Sequence, residues 1–209
     1  MWPFRRKHKD DPSSDDAELV AQLRHYIDLA LVGGFRPLAE ISEIAIEIVA
    51  DEFDERKVRA LARKVLSDQL SKYRESQSTW PQVTDCDRLD AAFAELEESG
   101  IVARQNATCC QTCAGAEVWD EVESKLKAGE VIRGMTFYHE QDTESAVEGG
   151  GLYLAYGSVE GADGAAVAIG EEVRKLLQSH GLQVSWNGQL NQRIHVTLDW
   201  KRRRSDVAA

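Results

Sequence analysis

The 209-residue chain has no glycine-rich phosphate loop, no nucleophile elbow and no dinucleotide fingerprint, so none of the chemistries those motifs carry can be assigned from it. Long apolar runs are missing too. The longest are a few residues, against the roughly 20 needed to cross a bilayer as a helix, which predicts no membrane span. An excess of positive charge is also lacking. The net charge of −11 and a pI near 5.0 set the field of the whole protein against phosphate, so nucleic acid and anionic membrane are disfavoured partners. The basic start Met1-Trp2-Pro3-Phe4-Arg5-Arg6-Lys7-His8-Lys9 runs into Asp10-Asp11-Pro12-Ser13-Ser14 with no apolar stretch behind it, unlike a signal peptide. The expectation is a cytoplasmic protein with a disordered tail over residues 1–14. In a reducing compartment its thiols suit metal binding or redox chemistry better than a structural disulfide.

What the chain does have is a thiol cluster. Cys109-Cys110-Gln111-Thr112-Cys113 holds three of the four cysteines, between a strand-like and a helix-like run. Hydrophobic residues make up 43% of the composition, enough for a packed core.

The first half reads as helices. Asp15 and Asp16 offer a cap, and Leu19, Val20, Leu23, Tyr26, Ile27, Ala30 and Leu31 recur at helical spacing up to Gly33-Gly34. Pro37 opens a second helix with Ile41, Ile44, Ala45, Ile48 and Val49 on its stripe, and Asp54 caps a third carrying Val58, Leu61, Ala62, Val65 and Tyr73. The polar stretch from Glu75 to Thr79, ahead of Trp80-Pro81, marks a boundary between a helical region over 15–76 and a domain over 80–200. In that domain Thr84 and Asp87 form a capping box before a helix through Leu89, Phe93 and Leu96, stopped by Gly100.

From residue 101 strands and helices alternate. Strand 101–106, a helix opened by the cysteines, strand 131–138, an acidic loop from His139 to Gly151, strand 152–156, a helix ending at Gly181 and strand 182–186 follow in turn. Asn187-Gly188 then turns the chain into a last alternating run over 194–200. Strand, helix, strand, strand, helix, strand is the order of a split βαβ unit. The predicted class is α+β: a ferredoxin-like antiparallel sheet with an appended strand, plus the N-terminal helical region. The end, Lys201-Arg202-Arg203-Arg204, reads as part of a solvated basic tail over 201–209.

In that topology the C-terminal ends of the first two strands share one sheet edge. All four cysteines and both His139 and His180 would meet there, next to Asp85, Asp87, Asp142, Glu144 and Glu148 as lining of a possible cleft. Cys110 and Cys113 have the Cys-x-x-Cys spacing that wraps a metal from the turn before a helix, and Cys86, Cys109 or His139 could complete the shell. Thiolates favour zinc or another soft ion. The same groups permit a redox dithiol, because a helix N-terminus eases loss of the thiol proton. His139 with Asp142 or Glu144 could instead do acid–base work in a small enzyme. Helix 89–100 followed by Ile101 to Arg104 is too acidic to be a DNA-reading winged helix.

The position of the Cys-x-x-Cys resembles that in heavy-metal-associated domains, although Thr108 stands where those have Met. More specifically, Thr84 to Asp90, Gly100 to Cys113, Gln141-Asp142-Thr143-Glu144, Gly149 to Gly157 and Trp186-Asn187-Gly188 resemble a bacterial family known only as a domain of unknown function. That resemblance implies one domain over about residues 80–200 and implies no activity. The reading is a cytoplasmic binding or regulatory module whose thiol-rich rim holds zinc or another soft metal. A small enzyme or thiol-redox protein using that rim, or a protein-interaction module with merely buried cysteines, are the alternatives.

Overall fold

The computed structural model describes residues 12–50 and 53–207. Most of the tail expected over 1–14 lies outside them, and residues 12–14 already belong to a helix. The chain divides into two compact units, one made of residues 1–31, 36–75 and 205–209, the other of 32–35 and 76–204.

In the first unit run α1 (Pro12–Gly33, whose last two residues belong to the second unit), α2 (Leu38–Val49) and α3 (Glu55–Ser78, whose last three residues likewise belong to the second). Leu19, Leu23, Ile27 and Leu31 recur every four residues of α1 and are fully buried, because that spacing keeps side chains on one face. Ile41, Ala45, Ile46 and Val49 of α2 and Val58, Ala62, Val65 and Tyr73 of α3 supply the rest of this unit's buried stripe. Asp54 caps α3 by accepting from the Lys57 N–H at 3.0 Å. Among its polar pairs, Gln69 donates to Asp28 at 2.9 Å and Arg59 pairs with Glu43 at 2.8 Å.

The second unit opens with α4 (Asp85–Glu98). Thr84 and Asp87 form the expected capping box, and Cys86, Leu89, Ala92, Phe93 and Leu96 are buried on one side. β1 (Ile101–Arg104), α5 (Gln111–Lys127), β2 (Gly134–Phe137), α6 (Glu140–Val147), β3 (Leu152–Ser158), α7 (Asp163–Ser179), β4 (Gln183–Ser185) and β5 (Ile194–Thr197) follow. The five strands form one mixed sheet in the order β1-β2-β3-β5-β4. α4 and α7 cover one face through Leu89, Phe93, Leu96, Ile169, Val173 and Leu177, packed on Ile101, Ala103, Leu152, Leu154, Ile194 and Val196. Val102, on the opposite side of β1, belongs to a second cluster with Phe137 and with Ala114, Val118 and Val122 of α5. One helix therefore lies on the other face, over the β1–β2 end.

The α+β class holds, but the ferredoxin-like strand order is corrected. β1 pairs directly with β2 in parallel, with Ile101 opposite Gly134 and Arg104 opposite Phe137, so β1-α5-β2 is a closed crossover with no strand inserted between its members. β3 adds antiparallel on the outside of β2, and β5 on the outside of β3. Several strands are also shorter than their apolar runs. Val131, expected at the start of β2, is 84% exposed in the connection before it. The segment 186–193 is a broad loop, held by Trp186 and Tyr156 donating to the carbonyl of Gln192 at 3.1 Å each.

Residues 201–204 are not a solvated tail. Arg202 stacks on Phe35, 4.3 Å from the ring centroid, and reaches Asp90 at 2.6 Å, while Arg203 pairs with Asp87 and Arg204 is buried. Charge decides this, since α4 supplies a carboxylate for each, Asp90 for Arg202 and Asp87 of its first turn for Arg203.

Candidate metal centre

The turn between β1 and α5 is built from unusual backbone. Asn106 (φ 52°) and Thr108 (φ 35°) both occupy the left-handed region, which is rare for any residue but glycine and costly for a β-branched one. The surroundings hold the turn in place. Ala107 N–H donates to the Tyr138 carbonyl at 2.9 Å and Glu140 N–H to the Thr108 carbonyl at 3.0 Å, stitching the turn to the corner between β2 and α6. Thr143 Oγ1 and Asn106 Oδ1 lie 2.6 Å apart, and the Tyr138 hydroxyl donates to Gln105 at 2.7 Å.

That backbone brings two adjacent cysteines to the same side as a third. The sulfurs of Cys109, Cys110 and Cys113 all lie within 4.8 Å of one another. Cys109 and Cys113 are exposed and Cys110 partly so. Cys110 is the N-cap of α5, in an extended conformation (φ −152°, ψ 167°). It makes no oxygen-type cap bond; its larger sulfur instead faces the N–H and thiol of Cys113. Those donors hold the Cys110 thiol below its ordinary range, with the Cys109 thiol and the Thr112 N–H assisting. Cys113, as the donor of that pair, is pushed up to about 11, chiefly by its hydrogen bond to Cys110. Negative charge is therefore carried more readily by Cys110 than by Cys113.

Behind the turn sits a buried polar corner. His139, the N-cap residue of α6, and Asp142 are each 5% exposed. The ring Nε2 lies 3.1 Å from Asp142 Oδ2, which also accepts from the His139 backbone N–H at 3.1 Å. Arg193 clamps the same carboxylate with two bonds, Nη1 to Oδ1 at 3.0 Å and Nη2 to Oδ2 at 2.5 Å, and also donates to the Tyr153 carbonyl. His139 Nδ1 has no hydrogen-bond partner among the described residues. Burial, reinforced by Arg193 and opposed by Asp142, keeps the imidazole below its ordinary titration range.

A family model described as Domain of unknown function (DUF6891) matches residues 16–204. The chain belongs to the DUF6891 family. No curated protein and no solved structure matches it. The matched span takes in both units and the thiol turn, so the cysteines sit inside the DUF6891 region and not in an added segment.

Within this DUF6891 chain the expected convergence on one rim is realised for three cysteines only. Cys86 is 1% exposed on the inner side of α4, in the cluster with Leu89, Phe93 and Tyr138, and burial pushes its thiol up to about 12. It is not in the sulfur group, because the α4 stripe turns it into the core. His139 stands on the same corner as the thiols but faces Asp142 and is not in the group either. The acidic candidates are spread out. Asp85 pairs with Arg88 at 2.7 Å and accepts from the Asp199 N–H, Asp87 is occupied by Thr84 and Arg203, and Glu144 on α6 and Glu148 at its C-cap are exposed. His180 bonds Glu95 at 2.8 Å, where α7 ends beside α4. Arg193 was not legible as a site residue. It carries no motif, standing alone between a turn and the start of β5, and only its long-range pairing with Asp142 gives it a role.

Proposed function

We propose that the thiol turn binds one zinc or other thiophilic ion such as copper(I), and that the protein is a metal-binding or regulatory module of a reducing cytoplasm. The reading is carried by three sulfurs within 4.8 Å of one another at the first turn of a helix. Thiolates around one ion at about 2.3 Å each are separated by roughly 3.8 Å, so closure asks each sulfur to move by about 1 Å or less. Side-chain rotation at exposed positions supplies that. Two further features support it: the hydrogen bonds that favour the thiolate of Cys110, and the backbone bonds that fix the turn before any ion arrives. Cys109, Cys110 and Cys113 are the donors, and no fourth ligand joins them among the described residues, which leaves a position for water or another incoming group. The acidic surface disfavours nucleic acid as that incoming group.

The test is elemental analysis of protein purified without added metal, followed by cobalt(II) titration of the reduced, metal-free chain. About one equivalent per chain and intense sulfur-to-cobalt absorption are expected, with both lost in Cys110→Ser and retained in Cys86→Ala. Less than about half an equivalent, together with no absorption on titration, overturns the reading.

A further inference from the structure

The turn holds one more thiol than a disulfide needs, and all three can be reached from solvent to some degree. We propose that it exchanges thiols with low-molecular-weight disulfides, Cys110 attacking and Cys113 resolving, to give a Cys110–Cys113 disulfide that leaves Cys109 free. This goes beyond metal binding and needs no bound ion.

Geometry favours this pair and disfavours that of the two adjacent cysteines. Cys110 is the extended N-cap of α5 and Cys113 its third helical residue, the position an N-cap side chain reaches, and their sulfurs lie within 4.8 Å of each other, within side-chain rotation of a disulfide. Cys109 and Cys110 are adjacent, and their Cα separation of about 3.8 Å falls below the roughly 4.4–6.8 Å that disulfides span. The N-cap also puts the Cys110 sulfur at the positive end of the helix, where the negative charge it carries as it attacks is stabilised.

The exchange balances in two steps. The Cys110 sulfur, its proton released to water, attacks one sulfur of the reagent RSSR; that S–S bond breaks, and RS⁻ leaves and takes up a proton. The Cys113 sulfur then attacks the Cys110 sulfur of the mixed disulfide, the second RS⁻ departs, and the Cys113 proton ends on it. Two protein thiols are oxidised and one RSSR is reduced to two RSH.

The experiment uses reduced full-length protein, treated with a chelator and exposed anaerobically to glutathione disulfide. Thiols alkylated after denaturation should fall from four to two. Those alkylated in the native state should fall from three to one, because Cys86 is buried. Fragment mapping should find the Cys110–Cys113 bond and an alkylated Cys109. Cys109→Ser should still close the bond, Cys113→Ser should accumulate glutathione on Cys110, and Cys110→Ser should react at least about tenfold more slowly. A count that stays at four, a bond that includes Cys109, cross-linked dimers as the sole product, or Cys110→Ser reacting at the parental rate each overturns the proposal. Cobalt titration of the reduced protein reads the metal site separately, so either idea can fail while the other stands.

Discussion

Replacing Arg193 by alanine removes both guanidinium bonds from a carboxylate whose side chain is 6% exposed, leaving Asp142 with only the backbone N–H and ring of His139. Deleting one partner of a buried pair costs about 3–5 kcal/mol, because the remaining charge can neither reach water nor find a new donor. The Arg193 side chain keeps 24% of its exposure, so solvent already screens part of the pair, and the expected loss for the second unit is about 3 kcal/mol. Asp142→Asn strands the charge on the wetter partner and should cost less, about 2 kcal/mol. The double variant should lose about 1–2 kcal/mol less than the sum, since the second change removes a group already without its partner. Urea unfolding followed by tryptophan fluorescence is well suited to the measurement, because Trp80, Trp119, Trp186 and Trp200 all lie in the second unit. An Arg193→Ala cost within about 0.5 kcal/mol, or strict additivity in the double variant, would refute the buried clamp.

His139 gives the second unit a pH dependence. Above about pH 6.5 the ring is neutral folded and unfolded; below it the unfolded chain binds a proton that the buried ring resists, so stability falls with pH until the folded ring also titrates. His139→Gln should flatten that slope between pH 7 and 5 in urea midpoints, and an unchanged slope counts against a depressed imidazole. Gly134 faces β3 so closely that an added Cβ meets the Gly157 carbonyl oxygen and lies 2.8 Å from Ile169 Cγ1. Gly134→Ala should cost about 3 kcal/mol, the upper end for overpacking, because one neighbour is backbone; a cost under about 1 kcal/mol would mean that the β2–β3 pairing adapts.

Features set by neighbouring residues were legible in the sequence. The Thr84 and Asp87 capping box, the alternation of Leu152 and Leu154 in β3, and the stop of α7 at Gly181 (φ 84°) each depend on a few consecutive positions. The strand order was not. A parallel pair with its third strand outside and one with that strand between have the same linear order of elements, and only pairings such as Ile101 with Gly134, 33 positions apart, distinguish them. The basic end misled for a related reason. A run of like charges looks solvated until Asp87 and Asp90, more than a hundred positions earlier, are folded against it. At the site, the spacing of Cys110 and Cys113 was visible, whereas the backbone that brings adjacent Cys109 alongside them rests on Asn106, which tolerates the left-handed region, and on Thr108, a β-branched residue from which that conformation is not read. Cys86 was misplaced because helix capping puts it at the right end of α4 but not on the right side.

The main-chain bonds from Ala107 and Thr108 to Tyr138 and Glu140 make the cysteine turn a joint product of two loops. A free peptide copied from residues 105–127 would carry the same sulfurs on the same spacing without the anvil that shapes them. It would have to order Thr108 at its own expense each time an ion arrived, and so, on the proposed metal-binding reading, would be the weaker ligand.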